Sequence, residues 1–108
     1  MEKVRNWRKT CNDMSDVRDA IDALDREIVA LLADRLHFIG EAARIKPRRD
    51  QVRDEPRVED VIAKVRAAAA ASGMDPDFIE PIYRALVERS IAHELDLFDR
   101  RDALKKAR

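Results

Sequence analysis

The chain has 108 residues, 41% of them charged, with 22 Lys and Arg balancing 22 Asp and Glu. That length suits one ordinary domain, and the charge balance argues against a dedicated nucleic-acid binder, which carries a basic excess. Hydrophobic residues make up 45% but fall in short periodic steps, never in the run of about 20 that a membrane span needs.

Residues 1–13 show no periodicity and are expected to form a mobile arm, with Met14 a candidate start codon. The arm has charge without the apolar stretch of a signal peptide. Cys11 is the one cysteine, so no internal disulfide forms, and the expected location is the cytoplasm.

From Ser15, a candidate N-cap, a first helix is expected to run to about Lys46, because Pro47 disfavours helix at the residue before it. Counting back from Ile45 in threes and fours gives Ala42, Phe38, Arg35, Leu31, Ile28, Leu24, Ile21 and Val17. This is a heptad seam with one cation in it. Arg35 either lays its stem along the seam with its head in water or lines a hollow in it. Lys46 lies three turns further on nearly the same face, where it also suits the helix C-terminal dipole. The helix would be roughly 45 Å long, which calls for a long partner. Arg18 sits seventeen residues before Arg35, roughly 25 Å along one helix. The two cannot hold one small ligand together within a chain. Two antiparallel copies would bring Arg18 of one toward the middle of the other, so the sequence permits a two-chain site for a small anion.

Residues 47–56, PRRDQVRDEP, read as a charged loop. Asp54 or Glu55 caps a second helix with Pro56 in its first turn. Arg57 opens that helix, where free backbone N–H groups also favour anions. Val58, Val61, Ile62, Val65, Ala68 and Ala69 form an apolar stripe, and Gly73 is the stop. Asp75-Pro76 restarts the chain as N-cap and first-turn proline. The third helix carries Ile79, Ile82, Tyr83, Leu86, Val87, Ile91, Leu95 and Phe98. It is expected to fray near Arg101 and leave 102–108 as a polar tail. Ser90 and Glu94, at i and i+4, project side by side from a largely apolar face. A carboxylate there is costly unless paired or protonated. His37 and His93 are isolated, so no metal is expected. There is no glycine-rich phosphate loop, and Ser90 has no histidine–carboxylate pattern. The fold class is therefore all-α, three helices, in a domain of residues 14–101.

The stretch VRDAIDALDREIVALLADRLHFIGEAARIK, with Arg18, Asp34-Arg35 and Lys46 at matching spacings, resembles the first helix of the AroQ-type, all-helical chorismate mutase family. RDEPRV at 53–58 is similar to the start of its second helix, and ERSIAHEL at 88–95 to its last active-site helix. The resemblance covers residues 15–100. It implies an intertwined helical homodimer with two shared active sites, rearranging chorismate to prephenate without metal or cofactor. Carried over by position, Arg18 comes from the partner chain to bind one substrate carboxylate and Arg35 binds the other. Lys46 hydrogen-bonds the ether oxygen and a carboxylate. Asp54 positions the ring hydroxyl, largely through its backbone, and Arg57 and Ser90 complete the carboxylate contacts. Glu94 falls where the family has Gln or Glu facing the ether oxygen. As a donor it must carry a proton, so activity is expected to fall as pH rises.

One position departs from the pattern. Many members have Glu after the arginine of the second helix, to hold the ring hydroxyl; here it is Val58. The isochorismate-pyruvate lyase branch shares the fold, is apolar there, and is similar in the IAHE stretch, whereas Ser90 is similar to the mutases. Elimination of pyruvate from isochorismate is thus the alternative activity, and an amino-substituted chorismate a third substrate. The alternative of another class is a non-enzymatic helical dimerisation module, which needs Arg35, Lys46 and Glu94 to fall on suitable faces by accident.

Overall fold

The computed structural model describes residues 8–107. They form three α-helices, α1 (Met14–Ile45), α2 (Glu55–Ala71) and α3 (Pro76–Lys106), with one 3-10 turn at Arg49–Gln51. There is no strand among the described residues, so the all-α, three-helix expectation holds. Residues 1–7, the larger part of the expected arm, lie outside the described residues, as does residue 108. No helix here is long and apolar enough to cross a membrane.

The helix boundaries follow from local hydrogen bonding. Asp13, rather than Ser15, caps α1: its carboxylate accepts from the Asp16 N–H at 2.8 Å, while the Asp16 carboxylate accepts from the Asn12 N–H at 3.0 Å. Two carboxylates at the positive end of the helix outdo one hydroxyl. Asp54 caps α2 by accepting from the Arg57 N–H at 3.1 Å. Gly73 closes it with φ 78°, a left-handed conformation that suits a residue without Cβ. The Met74 N–H reaches the Ala69 carbonyl at 2.8 Å and the Gly73 N–H the Ala70 carbonyl at 3.1 Å, the paired bonds of a Schellman ending. Asp75 then caps α3, accepting from the Asp77 N–H at 2.9 Å.

The third helix does not fray near Arg101. It continues to Lys106, through Ala103, Leu104, Lys105 and Lys106, all good helix formers. Residues 102–106 of the expected tail are therefore helical.

The chain divides into two compact units, one through Arg35 and one from Leu36 onward. In the described part of the first, the seam stays open: Ile21, Ile28 and Leu31 are each half or more exposed. In the second, α2 and α3 run antiparallel around Val52, Val58, Val87, Ile91 and Phe98. Phe98 is the deepest side chain, at 1% exposure. A ladder of ion pairs flanks this core and sets its direction. Arg66 bridges Asp77 and Glu80, Arg84 reaches Glu59, and Arg53 reaches Glu88. The last turns of α1 join the same unit. Ala43 is buried, and Gly40 faces Leu97 so closely that an added Cβ would touch its Cδ1 at 3.6 Å.

Candidate active site

Lys46 is the first residue beyond α1, its N–H still bonded to the Ala42 carbonyl at 2.9 Å. Its side chain turns inward. The ammonium donates to the Val52 carbonyl at 3.3 Å and lies 2.7 Å from Oε2 of Glu94. Glu94 comes from the middle of α3 and is only 4% exposed. The distance makes Lys46 and Glu94 an ion pair, yet Oε2 has no hydrogen-bond donor in line with it. Charge is balanced at this oxygen while its directional bonding is not. A buried polar atom in that state is rare in a native core. Lys46 keeps 29% of its side chain open to solvent, so the pair is reachable.

The loop between α1 and α2 supplies the Val52 carbonyl and is fastened to α3 at two points. Arg49 holds Asp99 at 2.8 Å and Arg53 holds Glu88 at 2.6 Å. Each arginine's hydrogen bonds keep its carboxylate partner below the usual carboxylate range. Asp54 follows, exposed, with its side chain engaged as the α2 cap. The Arg57 guanidinium, also exposed, pairs with Asp60 at 2.7 Å. Ser90 is buried one turn before Glu94, and its hydroxyl donates to the Leu86 carbonyl of its own helix at 2.7 Å. An open groove of about 650 Å³ runs past Ile45, Lys46, Pro47, Arg53 and Asp54. Lys46 lines it and Glu94 does not.

Lys46 and Glu94 are therefore brought together, Asp54 and Arg57 meet at the start of α2, and Ser90 sits one turn from Glu94. Arg18, exposed, and Arg35, half-buried, belong to the first unit. Val58 is buried in the core at 9% exposure. An apolar side chain there offers no hydrogen bond to a hydroxyl.

One residue beside this site escaped the sequence reading. Arg101 donates through Nη1 to the carbonyls of Ala43 at 3.0 Å, Arg44 at 3.2 Å and Lys46 at 2.7 Å. Its guanidinium carbon lies 3.9 Å from the centroid of the Phe98 ring. The signal was present: Arg101 follows Glu94 by seven residues, two turns, and so shares its face. The last carbonyls of a long helix also require donors from somewhere.

Residues 17–95 match the model of the family described as chorismate mutase type II. Among curated proteins, the chain is 27% identical over 85 residues to the isochorismate pyruvate lyase of Pseudomonas aeruginosa, covering 79% of this chain and 84% of that protein. It is 33% identical over 85 residues to the T-protein of Enterobacter agglomerans, covering 78% of this chain and 23% of that protein. With the Haemophilus influenzae T-protein it shares 30% identity over 82 residues, covering 75% and 22%. The chain thus spans less than a quarter of either T-protein and most of the lyase.

Proposed function

The chain belongs to the chorismate mutase type II family, and from that premise we propose that it rearranges chorismate to prephenate for aromatic amino-acid biosynthesis. The observation that carries this reading is the Lys46–Glu94 pair, with the ammonium partly open to solvent beside a buried carboxyl. The reaction is a one-step pericyclic shift in which the C–O bond breaks ahead of C–C closure. It calls for a compact, diaxial substrate and for hydrogen bonds to an ether oxygen that grows negative. Lys46 supplies such a bond, and Glu94, its charge partner, lies beside the same atom. Arg35 clamps one carboxylate and Arg18 of a partner chain the other, which restricts the conformer. Arg57 and Ser90 join the carboxylate contacts once they release Asp60 and Leu86. Asp54 positions the ring hydroxyl through its backbone. The domain carrying this function is residues 14–101.

The same reading makes the protein a homodimer. It is supported by the open seam of α1, where Ile28 is 51% exposed. A contiguous apolar face of that kind marks an interaction surface. A second activity, elimination of pyruvate from isochorismate, is favoured by Val58, which is buried and apolar, and by the likeness to the Pseudomonas lyase. Incubating the purified protein separately with chorismate and isochorismate, then identifying products by chromatography, tests both. Prephenate from chorismate supports the mutase. Salicylate and pyruvate, formed from isochorismate alone, transfer the assignment to the lyase. No product from either substrate overturns both readings.

A further inference from the structure

We infer that Arg101 is a positioning residue for Lys46, acting through the backbone at the end of α1. A reacting side chain must be held within about 0.5 Å of its productive place. Lys46 is poorly placed for this, because it is already outside the helix and the carbonyls around it have no helical partners. The Ala43, Arg44 and Lys46 carbonyls all accept from Nη1 of Arg101, and the shortest of the three bonds, 2.7 Å, goes to Lys46 itself. That guanidinium is in turn held flat by the ring of Phe98, the most buried side chain of the core. Its Nε lies 3.3 Å from the Asp102 carboxylate.

The arrangement grips Lys46 at both ends from one helix. Glu94 takes the ammonium and Arg101, two turns later on α3, takes the carbonyl. Removing Arg101 leaves the tip attracted to Glu94 while the stem loses its anchor. The ion pair then survives in a looser position. Charge at the helix end is only part of the grip, since a lysine cannot reproduce the guanidinium that lies over Phe98 and bonds Asp102 through Nε while Nη1 reaches the carbonyls.

The kinetic half of this inference rests on the mutase reading; the structural half does not. Single and double variants, read by two measurements, separate them. In Arg101→Gln, kcat for chorismate should fall roughly 10- to 100-fold with KM changed by less than about threefold, the mark of a misplaced transition-state contact. Arg101→Lys keeps the cation at the helix end and should recover only part of that loss. Combined with Lys46→Ala, Arg101→Gln should cause no further loss, because the residue it positions is gone. In parallel, hydrogen exchange in Arg101→Gln should accelerate at the Ile45 and Lys46 amides while those of α2 stay protected. Losses that add fully to Lys46→Ala, an unchanged kcat, or unchanged exchange at the end of α1 would each overturn the proposal. Exchange that rises through α2 and α3 alike would assign Arg101 to general stability instead. A wild-type protein inactive on chorismate would sink the mutase reading and the kinetic half together, and exchange would still decide the grip.

Discussion

Glu94 concentrates the unusual physics of this protein in one side chain: buried, paired by charge, and short of one aligned donor. Glu94→Gln keeps the shape and supplies an N–H donor. Turnover should stay within about tenfold of wild type, whereas Glu94→Ala should lose roughly 100-fold, the scale of one preorganised transition-state hydrogen bond. Lys46→Met leaves the buried carboxyl without its counter-charge and should cost about 3 kcal/mol of stability. The double variant Lys46→Met, Glu94→Gln should regain most of that in thermal unfolding. A double variant as unstable as the single one would mean that the pair is not the stabilising unit. Arg35→Ala should act in the opposite sense, reducing turnover roughly 100-fold through a lost carboxylate contact while leaving the melting temperature nearly unchanged. At this scale the sequence was partly legible. The i, i+4 spacing picked out Ser90 and Glu94 as misplaced polar groups, but nothing in it revealed that the Ser90 hydroxyl bonds back to Leu86.

The two glycines show how elements are written into the chain. Gly73 ends α2 at φ 78° with nothing near its absent Cβ, while Gly40 sits inside α1 with Leu97 at ordinary contact distance. The same substitution should therefore have opposite signs. Gly73→Ala forces a left-handed alanine and should cost about 1 kcal/mol. Gly40→Ala removes a flexible residue from a helix interior and should contribute up to about 1 kcal/mol. Thermal melts of both variants check this, and a destabilised Gly40→Ala would show a second surface pressing on that face. Starts and stops were the most legible part of this protein, because Asp54, Gly73 and Asp75-Pro76 act through bonds within a few residues. The end of α3 was legible only in part. Ala103 to Lys106 are good helix formers, but the bonds of Arg101 to residues more than fifty positions away are encoded by no local pattern.

For the molecule as a whole, the open seam of α1 and the distance from Arg18 to Arg35 along one helix lead to a complementation test. An Arg18→Ala protein and an Arg35→Ala protein, each nearly inactive, should regain activity when subunits exchange, since one pocket of the heterodimer is then intact. Mixtures that remain inactive after verified exchange would remove the shared-site arrangement. A second test concerns acid. Hydrogen bonds from Arg84, Arg53 and Arg49 hold Glu59, Glu80, Glu88 and Asp99 below their usual values of 4.5 and 3.8. A depressed folded value means that the stabilisation is complete above the usual range and disappears as pH falls through the folded one. Melting temperature should thus decline between about pH 5 and about pH 2. These pairs are exposed, so the decline should be modest and smaller in high salt. A decline unaffected by salt would rule out these pairs as its cause.

The grip of Arg101 on the end of α1 also has a consequence in time. A ribosome makes the chain from its N-terminus at roughly 5–20 residues per second. Lys46 emerges long before Arg101 does, and α1 can wind while its last carbonyls still face water. Closing that span joins residues 55 to 58 positions apart, a non-local step that comes slowly compared with helix winding. In a refolding experiment, helical circular dichroism should therefore recover before catalysis does. Arg101→Gln should leave the first phase alone and weaken the second.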